Sequence, residues 1–439
     1  NQEYSQFNTD LGWEGIYDAK SGNHVKSPGV SYEKIAMLSG VLMANYSYKG
    51  RYLLKASMRA DGSSKFSPDN RWGFFPSFSA GYDISRTPYF TKLNLPVSQL
   101  KVRVSYGRLG NQNGAGLYDY LGVMTLDPNN VNAWLLPGTG NKPAKGTISL
   151  TPKMISPYIT WEKVDNANIG LDLMLFDDRL SVTFDAYQRT TKDMIGPAEA
   201  IPAVSGIVPD DRAKINNATL RNRGWELSVN WQDKLKCGFS YGIGFNLFDY
   251  KAVVTKYNNP EGIIYNNHTG LARNKGYYEG MDIGEIWGFV ADDLFMTNRE
   301  VDDYLQSKDL SFFKADNLWQ AGDLKYIDVN RDGKVDPGKG TLDDHGDLRI
   351  IGNTTPKYSF GINLNAGYKG FEVSALFQGV AKRQFAMAGA QYLYGANCYF
   401  KEHLDYFSAQ NPGGYLPRLV DSSTKDYEAN AGYNTTRYL

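Results

Sequence analysis

From Arg51 to Ser85 the chain alternates apolar and polar residues along two stretches joined by a polar segment, and no other feature restricts its folding as much. In the first stretch Tyr52, Leu54, Ala56, Met58 and Ala60 take the even positions. Lys55, Ser57, Arg59 and Asp61 take the odd ones after an apolar start at Leu53. Beyond DGSSKFSPDN the pattern resumes, with Trp72, Phe74, Phe78, Ala80, Tyr82 and Ile84 in one set. Gly73, Ser77, Ser79, Gly81 and Asp83 form the other, with Phe75 as the exception. A strand turns successive side chains to opposite faces, so each stretch predicts a strand with one apolar and one polar face. Alternation alone fits a soluble sheet with one wet face equally well.

Repetition and connection length separate the two readings. The same pattern recurs from Lys34 to Tyr48, from Leu100 to Gly107, from Asn168 to Leu175 and from Leu180 to Tyr187. It returns from Trp225 to Trp231, Phe239 to Leu247, Tyr358 to Tyr368 and Phe371 to Phe377, which makes about ten strands. Short connections at 49–50, 86–98, 177–178, 232–236 and 369–370 alternate strictly with long ones. The long ones fall at 61–71, 110–160, 191–221, 249–356 and 383–435. Residues 118 to 123 read as local strand inside the second of these, and Tyr438-Leu439 as the start of a further strand. Sorting of loops by length onto opposite ends is a property of outer-membrane barrels, with tight periplasmic turns and large extracellular loops. The expected fold is therefore all-β, a transmembrane antiparallel β-barrel with a large extracellular insertion at about 249–356.

Composition agrees. Aromatic residues make up 14% of the 439 residues, 31 of them Tyr, and membrane barrels place such rings as girdles at both interfaces. A mean hydropathy of −0.45 excludes a bundle of membrane-spanning helices, but not a barrel, whose lumen and loops are polar. Basic and acidic residues balance at 47 each, which removes an electrostatic argument for nucleic acid. Two Cys and four His leave little for metal clusters or histidine-based catalysis. The chain begins at Asn1 without Met or a signal peptide, and reads as a mature or partial chain.

Several segments also carry a family resemblance. RYLLKASMRADGSSKFSPDNRWGFFPSFSAGYDIS, LKVRVSYGRLGNQNG and ITWEKVDNANIGLDLMLFDDRLSVTFDAYQRTTKDMI resemble the SusC/RagA branch of TonB-dependent outer-membrane transporters. NRGWELSVNW, GEIWGFVADDLF, GDLKYIDVNRDGKVD and IIGNTTPKYSFGINLNAGYKGFEVSALFQG do too, in order, from about residue 32 onward. The resemblance implies a 22-stranded barrel with an N-terminal plug, energised by TonB and capped by a SusD-like surface lipoprotein. It implies active import of a large nutrient, an oligosaccharide or a peptide, across the outer membrane. No plug-like or TonB-box sequence precedes residue 32, so the expectation is the C-terminal portion of such a barrel, lacking the plug and the last strands. Other readings are a barrel enzyme, which needs a convergent Ser/His or carboxylate site in the lumen, and a structural or adhesive surface barrel.

One motif carries metal chemistry. Asp328, Asn330, Asp332, Lys334 (through its carbonyl) and Asp336 have the spacing of an EF-hand loop, with Gly333 at the sharp turn. Position twelve is Lys339, so the usual bidentate carboxylate is missing, and Asp343, Asp344 or Asp347 are its substitutes. The expectation is a structural Ca²⁺, against the plainer reading of a loop rich in Asx turns. Trp161-Glu162-Lys163 and Arg103 are candidate lumen groups, or simply part of a solvated inner face. Tyr392, Tyr394, Tyr399, Phe400, Tyr406 and Phe407 are candidate sugar-stacking rings, or packing for a large loop.

Overall fold

The structure, a computed structural model, describes residues 34–93, 95–117, 119–121, 154–198, 213–259, 262–264, 276–313, 318–385, 401–420, 430 and 435–438. It also describes the short strand pieces 6–7, 16–17, 126–127, 135–136, 144–145 and 148–149.

Ten strands form one sheet in which every strand pairs with its neighbours in the chain. They are β1 (Met37–Tyr48), β2 (Tyr52–Ser63), β3 (Trp72–Asp83), β4 (Val97–Asn111) and β5 (Glu162–Leu175), then β6 (Leu180–Pro197), β7 (Lys214–Lys234), β8 (Ser240–Lys256), β9 (Lys357–Tyr368) and β10 (Phe371–Lys382). All pairings are antiparallel. Register lines the apolar positions into rows: Leu173, Val182, Val229, Phe245, Ile362 and Phe377 follow one another across six strands. This face is open, with Leu42 74% and Val373 69% exposed. An apolar surface so extensive is stable only against lipid. Trp225 and Trp231 bracket the belt on β7, and Tyr48, Tyr52 and Tyr82 cluster at the short-turn end, with Tyr52 and Tyr82 stacked at 5.0 Å. These are interfacial girdle positions.

The β9–β10 turn is two residues, Lys369 and Gly370, both with positive φ (46° and 88°), as a hairpin whose twist matches its strands requires. The β5–β6 turn is longer than the sequence suggests. Phe176 to Arg179 close it, with Phe176, Asp177 and Asp178 all left-handed.

Several strands also outrun their alternating pattern. β6 continues to Pro197 and β7 begins at Lys214, so the connection expected at 191–221 shrinks to 198–213. β8 continues to Lys256, and the insertion starts after it rather than at 249. Above the apolar belt the outward positions turn polar as well, with Gln188, Thr190, Arg221 and Arg223, so the period-two signal fades although the ladder of hydrogen bonds continues. In the 118–123 segment the described residues 119–121 form turn and bend, and the strand pieces lie further on. Tyr438 does not begin a strand. It lies in a short 3₁₀ turn, 3% exposed, with its ring edge-on to Tyr415, because the insertion offers it an apolar site.

The insertion is a packed unit with its own core. Phe289, Phe295, Leu310, Leu324, Tyr326 and Leu348 are almost completely buried there, and the Phe313 and Tyr326 rings stack at 4.0 Å. Two small antiparallel pairs frame it, Glu285–Phe289 with Leu348–Asn353 and Ala291–Leu294 with Leu324–Tyr326. Helix α1 (Asn298–Leu305) is started by its N-cap Thr297, whose Oγ1 accepts from Glu300 N at 3.1 Å, while Glu300 Oε2 reaches back to accept from Met296 N at 2.9 Å. Leu220 of β7 and Val254 of β8 join this core, and both carry the parity of the polar sheet face. The insertion therefore folds over the polar face at the long-connection end.

Candidate functional site

The polar face of β4, β5 and β6 carries an ion network. Arg103 Nε donates to both oxygens of Asp172 on β5, at 3.2 and 3.1 Å. Its Nη1 and Nη2 donate to Asp185 on β6, at 2.9 and 2.7 Å. Lys101 adds a looser contact to Asp172 at 3.6 Å. Gly170 makes room for this reach, since a Cβ there would lie 2.6 Å from Arg103 Cζ. Beside the network lies an open depression of about 510 Å³ lined by Asn45, Lys55, Ser79, Lys101, Arg103 and Ser105. Chemically the inner wall offers charged hydrogen-bond donors held at fixed positions, suited to hydroxyl, carbonyl or carboxylate groups.

Arg103 thus lies where the sequence placed it, on the lumen side. Its partners Asp172 and Asp185 share the polar parity of their strands, and hairpin register about the β5–β6 turn sets Asp185 opposite Gly170 and next to Asp172. Trp161-Glu162-Lys163 do not form a common lumen patch. Trp161 is buried with Phe66, Phe75, Ala115 and Ile159, its indole N–H donating to the Arg71 carbonyl at 2.9 Å. This also explains Phe75, the exception to the alternation: it fills that small core. Glu162 is buried and accepts from Asn111 Nδ2 at 2.6 Å and Ile195 N at 3.0 Å. Lys163 pairs with Asp193 at 2.9 Å. These three close the upper ends of β3 to β6.

In the 328–336 loop each proposed side-chain ligand accepts a hydrogen bond from the protein. Asp328 Oδ2 accepts from Lys308 Nζ at 2.5 Å and Gly333 N at 2.9 Å, and its Oδ1 from Arg331 N at 2.5 Å. Asn330 Oδ1 accepts from Asp332 N, Asp332 Oδ1 from Lys334 N, and Asp336 Oδ1 from Gly338 N. Asp347, 1% exposed, ties the two ends together: its Oδ1 accepts from Val329 N and Asn330 N, and its Oδ2 from Asp336 N. Burial raises the Asp347 carboxyl above the usual range against these hydrogen bonds. Burial also acts against the Asp328 charge, but Lys308 and the two N–H groups outweigh it and hold that carboxyl low. Among the described residues no three His, Cys, Asp or Glu side chains are gathered as a metal ion gathers them. In this conformation Lys308 supplies the positive charge.

Tyr392, Tyr394, Tyr399 and Phe400 lie outside the described residues. Tyr406 and Phe407 pack against the insertion core, and Tyr406 bridges to Leu416. His345 packs on Trp287 at 5.5 Å and shares a hydrogen bond with Arg349. Cys237 is exposed and carries a free thiol in the short connection between β7 and β8.

Comparison with known proteins agrees with this geometry. Residues 2–436 match the family model "TonB dependent receptor-like, beta-barrel". The chain is 27% identical to TonB-dependent receptor P3 of Formosa agariphila over 76% of its own length and 30% of that protein's. It is 26% identical to TonB-dependent receptor SusC of Bacteroides thetaiotaomicron over 84% of its length and 33% of the relative's. Among solved structures it is similar to the RagAB peptide transporter, with a TM-score of 0.66 at 21% identity, covering 94% of this chain and 41% of that one. The chain thus spans about a third of the length of these curated relatives. The ten-strand meander, its outward apolar rows and the match over nearly all residues lead to one conclusion: this chain belongs to the TonB-dependent receptor β-barrel family, SusC/RagA-like, of the bacterial outer membrane.

Proposed function

We propose that the protein of which this chain forms part imports a large nutrient, an oligosaccharide or a peptide, across the outer membrane by TonB-dependent transport. The observation that carries this reading is the insertion core built over the polar sheet face through Leu220 and Val254. A packed unit at the mouth of a charged wall suits capture of cargo outside and its passage along the lumen. A SusD-like lipoprotein partner resting on that unit fits the likeness to SusC and to the RagAB transporter. TonB supplies energy through a plug region of the longer protein. Import is favoured over catalysis or adhesion because the charges on the inner face neutralise one another across strands instead of converging on one reacting centre. The test is deletion of the full-length gene with growth on defined glycans and on peptides as sole nutrient, with and without TonB. Loss of growth on one nutrient class, dependent on TonB, is expected; undiminished growth on all of them would sink the reading.

A structural Ca²⁺ in the 328–336 loop is a second, narrower proposal, supported by the ligand spacing and by two buried carboxylates, Asp328 and Asp347, facing one loop. Binding requires Lys308 to leave Asp328. Calcium is then expected to protect the insertion from protease, Lys308→Met to strengthen the effect and Asp332→Ala to weaken it. Chelation without change in protease sensitivity rejects the ion.

A further inference from the structure

We infer that the outward face of β4, β6, β7 and β8, just beyond the apolar belt at the long-connection end, binds the phosphate groups of the outer-leaflet glycolipid. The last apolar row across these strands is Val104, Ile169, Ala186 and Trp225. The next row in the same parity brings Tyr106, Ala167, Gln188, Arg223 and Lys251, and the one after it Arg108, Asp165, Thr190 and Arg221. Lys192 follows one step higher on β6, opposite Lys163 of β5, which pairs with Asp193 at 2.9 Å. Six cations therefore occupy a narrow band on the lipid-facing side, at the height where hydrocarbon gives way to headgroups.

The band is only partly neutralised from within. Asp165 alone serves both Arg108, at 2.6 Å, and Lys192, at 3.0 Å. Lys251 has a loose contact with Asp282 at 3.5 Å and remains exposed. Asp249, the acidic residue of the row below, accepts from Tyr358 N and lies 3.7 Å from Lys357. Among the described residues Arg221 and Arg223 have no acidic partner; Arg223 Nε donates to Gln188 at 2.7 Å, which aims its guanidinium along the sheet surface. Arg223 and Lys251 are also direct register partners. Like charges placed opposite each other across a ladder destabilise it unless an anion lies between them. A phosphate supplies that anion, and Arg presents a fork that matches phosphate oxygens.

The occupant follows from position. These side chains continue the lipid-facing rows rather than the lumen rows, so their neighbour is membrane and not cargo. At the long-connection end of an outer-membrane barrel that membrane is the glycolipid leaflet, whose phosphates stand at this height. This assignment rests on the long connections being extracellular. Loss of binding to either leaflet's lipid is separable from a failure of the import reading, because lipid retention is measured without transport.

The experiment is native mass spectrometry of the full-length protein extracted from its own outer membrane, counting retained glycolipid. Arg221→Gln/Arg223→Gln/Lys251→Gln should lower retention by about fivefold per cation removed. Lys234→Gln/Lys236→Gln at the short-turn end should leave it unchanged. Arg223→Gln alone, at an exposed position that leaves folding intact, should lower it severalfold and serves if the triple variant does not assemble. Enzymatic removal of the glycolipid phosphates should reduce wild-type retention to the level of the variant. Equal retention by wild type and variants, or indifference to dephosphorylation, overturns the proposal. Displacement of the glycolipid by phosphatidylglycerol with equal affinity overturns it as well, by placing the band at the wrong leaflet.

Discussion

Arg103 and Asp185 lie two strands apart, yet form a two-point ion pair at 2.9 and 2.7 Å by reaching across Gly170 of β5. The guanidinium also engages Asp172, so one cation ties three strands together on the lumen wall. Both groups are partly exposed, and the pair is worth correspondingly little, about 1 kcal/mol. A double-mutant cycle of Arg103→Gln and Asp185→Asn on the full-length barrel should show coupling of that order in denaturant unfolding. Gly170→Ala should remove most of it by placing a methyl group against the guanidinium. Additive single effects would show that the pair contributes nothing.

Sidedness is testable through a cysteine the chain already has. Cys237, exposed in a short connection, should resist an impermeant maleimide on intact cells and react after permeabilisation, in a background carrying Cys398→Ala. Asp178→Cys should behave in the same way. Arg299→Cys, on the exposed side of α1 in the insertion, should label on intact cells. The opposite pattern would invert the barrel.

The insertion should unfold apart from the barrel. Phe289 is 1% exposed and touches Phe312, Phe313 and Tyr326, so Phe289→Ala should cost about 3–5 kcal/mol within this unit. The measurement is limited proteolysis: cleavage between 257 and 356 should rise sharply while the strands stay protected. Simultaneous loss of the barrel would mean that insertion and sheet form one cooperative unit.

Acid should loosen the start of α1. Lys325 chiefly, with the Met296 amide, holds the Glu300 carboxyl below its usual range. A depressed carboxyl contributes stability that is fully present above the unfolded value of about 4.3 and lost as pH falls through the lower folded value. Hydrogen exchange of the amides at Met296 and Glu300 should therefore lose protection between about pH 5 and pH 3 beyond the ordinary chemical trend. Glu300→Gln should flatten that response and lower protection at neutral pH by a modest amount, given the partial exposure of both partners. An identical pH profile in the variant would assign the effect to another group.

What the sequence determined by itself was periodic and local. The alternation from Tyr52 to Ala60 and from Leu180 to Ala186, and the sorting of connections by length, sufficed for ten antiparallel strands, a lipid face and a lumen face. They sufficed because lipid exposure imposes one chemistry on every second residue of a crossing strand. Where that pressure ends the signal ends too: KINNATLRNR pairs as bulged strand in β7, but with polar residues in both parities nothing in its pattern says so. Non-local choices belonged to the tertiary structure. Only packing decided that Trp161 and Phe75 share a core, that Tyr438 is buried in the insertion and that Lys308 faces Asp328. Only register decided that Arg103 reaches Asp185, and that Arg223 and Lys251 stand opposite each other at the edge of the membrane. These relations join residues up to about a hundred and fifty positions apart, whose proximity depends on how strands and loops close in space and leaves no periodic trace in the chain.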